Sequence, residues 1–237
     1  MTGIHVAALI AAGIVLAAAA ALWLVFAKPQ RRWLYVVLLA IQLPMSWAAF
    51  HFVRVPLDRW IAGAIADRGT YTLLTMFYAP LTEEPAKLWP LLLPFVWRRL
   101  GRENAAGIAL ALGIGFGIGE IGFLAERVAR VPQMAGLPAF AFTGFIFERV
   151  LVCLWHPAFA AVTVAAAARR PALIPAALLG SMALHFLGNF PIYLASRNAF
   201  GLGAAGWQQA LLGWTLIYAI AMALLLAWLG WRGRQPR

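Results

Sequence analysis

Long apolar runs separated by short polar and basic stretches make up most of this chain. Each run reaches the roughly 20 residues that a helix needs to cross the hydrocarbon core of a membrane. We therefore predict an all-α fold, a polytopic transmembrane helix bundle that forms one integral membrane domain over residues 1–237. Seven spans are predicted: 4–27, 33–53, 71–97, 104–126, 139–168, 171–195 and 207–230. The third and fifth contain charged residues and are less clearly apolar.

The composition agrees with lipid as the main solvent. Hydrophobic residues make up 64% of the 237 residues, the mean hydropathy is +0.83, and only 11% of the residues are charged. A typical soluble domain carries about 25% charged residues. The net charge of +11 does not indicate nucleic-acid binding, because the basic residues occupy short loops rather than one face. Cys153 is the only cysteine, so neither an internal disulfide nor a cysteine metal cluster is expected.

The basic loops predict how the bundle is oriented. Eleven lysines and arginines fall in the loops after spans one, three and five and in the tail, against six on the opposite side. The eleven are Lys28, Arg31, Arg32, Arg98, Arg99, Arg102, Arg169, Arg170, Arg232, Arg234 and Arg237. The positive-inside rule places them in the cytoplasm. We therefore expect a protein of a bacterial or archaeal cytoplasmic membrane, with its N-terminus outside the cell and its C-terminus in the cytoplasm.

Ionisable residues inside the spans are the candidates for function, because a charge near the bilayer centre costs at least about 2.5–3.5 kcal/mol. The candidates within spans three to six are Glu83, Glu84, Lys87, Glu120, His156, His185 and Asn189. Glu148 and Arg149 also lie within a span and are expected to have a structural or cavity-lining role. Counted from the cytoplasmic span ends, Glu83, Glu120 and both histidines lie at similar depths of roughly 18–24 Å. Four helices are thus predicted to bring proton-active side chains to one cavity.

These side chains suit the activation of water. A carboxylate in an apolar cavity can take a proton from water and later return it to a leaving amine. Histidines can bind a divalent metal such as zinc or donate to a developing oxyanion, and Asn189 can polarise a carbonyl or orient His185. No serine or cysteine is placed as a nucleophile, so direct attack by water is favoured. Glu83 and Lys87, four residues apart on one helix face, can form an ion pair.

Four motifs in this region resemble those of a known family. Glu83 to Lys87 match EExxK, Phe116 to Glu120 match FxxxE, His156 to Phe159 match an isolated histidine motif, and His185 to Asn189 match HxxxN. In this order the chain resembles the PrsW-type intramembrane proteases. That group resembles the wider clan of CAAX prenyl endopeptidases, bacteriocin-processing proteins, YhfC-like proteins and the gamma-secretase scaffold subunit. The resemblance covers about residues 71–195, which form the expected catalytic core.

The resemblance implies an intramembrane endopeptidase, either a glutamate protease or a metalloprotease, acting on a membrane-anchored protein or peptide. It makes Glu83 the water-activating base, with Glu84 beside it as support or alternate. His156 and His185 then bind a metal or stabilise the oxyanion, and Asn189 assists. Whether a divalent metal such as zinc takes part stays open at this point.

Lys87 and Glu120 are expected to support the catalytic residues. Glu120 stands where the CAAX branch usually has histidine, which argues against a prenylated substrate. Two other function classes remain open: a non-catalytic scaffold subunit, in which the same residues lock helices together, and a proton- or cation-coupled transporter, since buried acids and histidines also form relays. The sequence shows no inverted repeat, which counts against the transporter.

Overall fold

The computed structural model describes residues 1–26 and 32–235 of the chain, and these residues form helices with no strand. The α-helices are α1 Gly3–Phe26, α2 Arg32–Ala48, α3 Val55–Ala64, α4 Arg68–Leu88, α5 Pro94–Trp97, α6 Ala105–Ala129, α7 Pro132–Ala135, α8 Thr143–Arg169, α9 Ile174–Ser196 and α10 Gly203–Arg234. The predicted all-α fold is confirmed. Lys28, Arg31 and Arg237, which the orientation argument used, lie outside the described residues.

Six helical stretches in the described part of the chain are long and apolar enough to cross a membrane. They are Gly3–Val25, Arg32–Ala64, Ala105–Ala129, Ala139–Arg169, Pro171–Ser196 and Gly203–Arg234. Each overlaps one of the seven predicted spans. The remaining predicted span, 71–97, is not one continuous helix, because α4 ends at Leu88.

Two prolines explain why α4 stops at that point. Pro90 has no N–H to donate to the Ala86 carbonyl. Pro94 also lacks an N–H, so the 3₁₀ turn Trp89–Leu92 does not continue into a regular helix, and a new short helix begins at Pro94. The residue before Pro94, Leu93, is extended at φ −75° and ψ 124°. The depth that we counted for Glu83 along a continuous helix from Trp97 is therefore wrong.

The end of α4 is held by a buried glutamine of α2. Gln42 donates from Nε2 to the Lys87 carbonyl at 2.5 Å and lies 3.5 Å from the Ala86 carbonyl. Carbonyls left unpaired at a helix end need such a partner, above all where water is excluded. Gln42 is fully buried, so α2 fixes the position of the helix that carries both adjacent glutamates.

A π-helical turn, Ala49–Arg54, joins α2 to α3 without interrupting the helical path. π-turns are rare and often occur at functional sites. The predicted span 33–53 therefore continues beyond Val53 to Ala64. The wider turn directs Arg54 back towards α4, where its side chain contacts Glu83.

Helix α6 lies at the centre of the bundle and packs against α1, α2 and α8. Its glycines alternate between two neighbours. A Cβ atom at Gly113 would collide with the backbone of His156 and Pro157 on α8, whereas one at Gly115 would collide with α2. Because these glycines have no side chain, α8, with His156, can lie close against α6.

Basic residues gather at one end of the bundle. Arg102 approaches Gly233 of α10, and Arg169 lines the same small cavity, while Arg234 bonds to the Val25 carbonyl at the end of α1.

At the other end of the bundle, Asp67 caps α4 by accepting a hydrogen bond from the Thr70 amide at 2.6 Å. That bond lowers the pKa of the exposed Asp67 carboxyl.

Candidate functional site

One cavity of about 480 Å³ lies between α3, α4, α6, α8 and α9. Its lining includes five of the residues singled out in the sequence: Glu83, Glu120, His156, His185 and Asn189. It extends towards the bundle end opposite Arg102 and Arg169, where Asp58, Tyr71 and Arg127 line it. The helices thus bring the predicted polar side chains of four separate segments together, even though one of the depths was miscounted.

Glu83 faces the cavity and has partners on three sides. Arg54 Nη1 donates to Glu83 Oε1 at 2.6 Å. The other carboxylate oxygen, Oε2, lies 3.7 Å from His185 Nε2 and 4.0 Å from Lys87 Nζ. Only 2% of Glu83 is exposed, so this carboxylate combines shielding from bulk solvent with direct access to the cavity.

Glu84 points away from the cavity and is completely buried. Its Oε1 atom accepts from Lys87 Nζ at 2.6 Å and lies 2.6 Å from His185 Nδ1. The predicted i, i+4 pair between Lys87 and Glu83 is therefore secondary, because the close ion pair of Lys87 is with Glu84. The adjacent glutamates therefore differ in environment: Glu83 lines the cavity, whereas Glu84 contacts a lysine and a histidine behind it.

His185 bridges the two glutamates, with one ring nitrogen towards each. Phe159 of α8 stacks on its ring at 5.3 Å between centroids. Hydrogen bonds from α10 support the segment around it, because Tyr218 bonds to the Leu184 carbonyl at 2.6 Å and Trp214 to the Gly188 carbonyl at 3.0 Å. The imidazole is thus held by packing and hydrogen bonds on several sides.

A second cluster of charged groups lies on the α6 and α8 side of the cavity. His156 Nε2 is 2.9 Å from Glu120 Oε2, and Arg149 Nη1 donates to Glu120 Oε1 at 3.2 Å. Arg149 also pairs with its neighbour Glu148. His156 Nδ1 is buried without a hydrogen-bond partner in the described structure. Glu120 therefore orients both a histidine and an arginine, and Arg149 lines the cavity.

The two clusters meet across the cavity. The rings of His156 and His185 are 5.9 Å apart between centroids. Ligand atoms of Glu83, Glu120 and His156 all lie within 4.8 Å of one another. Carboxylate oxygen and imidazole nitrogen are donors that zinc accepts. This grouping differs from the predicted metal pair, because it contains His156 but has Glu83 and Glu120 in place of His185.

Two residues that support the site, Arg54 and Gln42, were not selected from the sequence. Both lie before residue 71, outside the expected catalytic core. Arg54 is one of the six basic residues that the sequence places on the side opposite the cytoplasm, yet it makes the shortest contact of Glu83, at 2.6 Å. Gln42 was not selected at all. A polar residue within an apolar run would have been the signal for Gln42, whereas nothing local marks the π-turn that directs Arg54.

The arrangement places a buried but accessible carboxylate, two histidines and an asparagine around one cavity, which is suited to proton transfer and to stabilising a developing oxyanion. No protein-family model, curated protein or solved structure matches this chain. Assignment of an activity therefore depends on the geometry of this cavity and on the four motifs.

Proposed function

We propose that the protein is an intramembrane endopeptidase that hydrolyses a peptide bond of a membrane-associated protein or peptide with water activated by Glu83. The observation that carries this proposal is the environment of Glu83. It is the cavity-facing member of an acid pair, with His185 Nε2 3.7 Å from its carboxylate. The other member, Glu84, holds Lys87 and His185 from behind. The order of the four motifs agrees with this assignment.

In the proposed reaction Glu83 accepts a proton from water while the water oxygen bonds to the carbonyl carbon of the substrate. The negative charge that develops on the carbonyl oxygen is stabilised by donors that line the cavity, His185 and Asn189. Glu83 then gives its proton to the amide nitrogen as the carbon–nitrogen bond breaks. Arg54 orients the Glu83 carboxylate through their 2.6 Å contact.

A substrate held in the membrane needs a lateral route to this cavity. A second groove, of about 310 Å³, runs between α8, α9 and α10. It shares five lining residues with the cavity: Arg149, Val152, Trp155, Asn189 and Ile192. Leu212, on its outer part, is 54% exposed, so the groove meets the lipid-facing surface. This continuity supports a membrane-anchored substrate.

We further propose that α4 is the seventh membrane-crossing helix of a multi-pass protein of the cell membrane. Its 21 residues extend about 32 Å, close to the roughly 30 Å hydrocarbon thickness. Its polar residues Glu83, Glu84 and Lys87 are buried, so they need not meet lipid. Seven crossings place the two termini on opposite sides of the membrane. The positive-inside rule then puts the end that carries Arg102 and Arg169 in the cytoplasm and the N-terminus outside.

Reconstitution in vesicles tests the proposed activity against its alternatives. We expect the purified protein to release fragments, detected by mass spectrometry, from a library of peptides with an N-terminal palmitoyl anchor. A proton- or cation-coupled transporter would instead produce flux that depends on a pH gradient, with the peptides intact. A scaffold subunit would produce neither, and either result contradicts the peptidase assignment.

The grouping of Glu83, Glu120 and His156 fits a divalent metal such as zinc by its donor atoms. A bound zinc ion would make water easier to deprotonate. We expect purified protein supplied with zinc to retain about one equivalent per chain. His156→Ala is expected to lose the zinc and His185→Ala to keep it, because His156 belongs to the grouping and His185 does not. Elemental analysis measures the stoichiometry. Equal loss in both variants would favour the histidine pair predicted from the sequence.

A further inference from the structure

An apolar groove of about 620 Å³ lies where α4 breaks, between that break and helices α8 and α9. The two prolines Pro90 and Pro94 create it by ending α4 and turning the chain aside. We call it the proline-break groove and define it by its lining residues Leu88, Leu91, Leu92, Ile174, Leu178 and Arg98. It shares no lining residue with the cavity around Glu83, so its occupant is not the peptide at the cleavage site.

The polar groups of the proline-break groove are few and lie apart. The Thr163 hydroxyl is fully buried and 2.9 Å from the Ser181 hydroxyl, so it is already satisfied. Arg98 is exposed at one end of the groove, and within residues 1–26 and 32–235 no acidic side chain pairs with it. The groove thus combines a long apolar wall with one cation at its end.

The position of that cation matches a membrane surface. Arg98 begins the basic loop that also contains Arg99 and Arg102, at the bundle end where Arg169 and Arg234 gather. Trp97 also lines the groove and is 39% exposed, as is usual for a tryptophan at the lipid–water interface. Basic residues at this level attract the phosphates of anionic lipids.

We propose that the proline-break groove binds an anionic phospholipid, with an acyl chain along Leu88, Leu91 and Leu178 and the phosphate on Arg98. Leu92, which is 83% exposed, gains apolar contact from the chain. Pro85 and Leu88 line the groove on the same helix as Glu84 and Lys87. The lipid therefore stabilises the end of the helix that carries the acid pair, and this inference does not depend on the proposed peptidase activity.

Native mass spectrometry and thermal unfolding test the lipid site in the full-length protein. The protein is reconstituted either in phosphatidylcholine vesicles or in vesicles with one quarter phosphatidylglycerol. We expect wild-type protein to retain phosphatidylglycerol and to unfold at a higher temperature with it. Arg98→Gln is expected to retain the lipid about fivefold less well. Arg170→Gln is the matched control, because it removes the same charge at the same end without lining the groove.

A second variant changes shape without changing charge. Leu178→Trp fills the groove and is expected to abolish phosphatidylglycerol retention, while unfolding in pure phosphatidylcholine stays near the wild-type temperature. If Arg98→Gln and Arg170→Gln lose phosphatidylglycerol equally, the lipid is held only by general electrostatic attraction to the basic end of the bundle. That result would overturn the proposed site. Retention of phosphatidylcholine as strong as that of phosphatidylglycerol would overturn the role of Arg98.

Discussion

Replacing Glu83 by glutamine is expected to lower peptide hydrolysis about 10³-fold, the usual effect of removing a general base. Glutamine keeps the size of the side chain and can still accept a hydrogen bond from Arg54, so the helices should stay in place. It cannot take the proton from water. Initial rates on an anchored peptide that the wild-type protein cleaves provide the measurement, and unfolding temperature reports whether the fold is kept.

Glu126→Gln is the matched control for this substitution. Glu126 is exposed near the end of α6, outside the cavity lining. Among the residues that the structure describes, its carboxylate has one ion pair, at 3.7 Å with the exposed Arg130. We expect its rate to equal that of the wild type. Near-wild-type hydrolysis by the Glu83→Gln variant would refute Glu83 as the base. The protein could still be a peptidase in which another side chain activates the water.

Replacing Lys87 by methionine is expected to destabilise the protein by about 3–5 kcal/mol, the range found when one partner of a buried ion pair is removed. Lys87 and Glu84 are both fully buried, and their atoms are 2.6 Å apart. Phe116 and Phe159 lie around the ammonium group at 5.0 and 5.6 Å, so water is not available to solvate the remaining carboxylate. Reversible unfolding in mixed micelles measures the loss.

Two further variants separate the ion pair from general packing. Arg130→Met removes one partner of an exposed pair, and we expect a change of no more than about 1 kcal/mol. The double variant Lys87→Met with Glu84→Gln removes the buried charge as well and should recover much of the stability. Equal stability of the Lys87→Met and Arg130→Met variants would mean that the ion pair with Lys87 is not required to stabilise the buried Glu84 carboxylate.

The sequence alone predicted most of the candidate site. Glu83, Glu120, His156, His185 and Asn189 do line one cavity. They share a cavity because charged and polar groups are costly in lipid, so each must face a partner or a cavity inside the bundle. The same reasoning could not tell Glu83 from Glu84, since adjacent helical residues differ only in direction.

The partners of these residues were decided by the tertiary structure. Arg54 reaches Glu83 through a π-turn, and Lys87 pairs with Glu84 rather than chiefly with Glu83. Both results depend on how the helices are rotated and where their regular geometry is interrupted. Those features come from packing between distant segments, such as Gln42 of α2 against the end of α4.

The apolar runs by themselves determined that the chain is helical and suited to a membrane, because lipid cannot satisfy backbone groups and each segment must pair them internally. They also determined which side chains are too polar to face lipid. Only the tertiary structure decided that Glu83 faces the cavity while Glu84 is enclosed, and that the break after Leu88 opens a separate apolar groove. The physical reason is that hydrophobicity is a property of each segment, whereas direction and access depend on the neighbours that surround it.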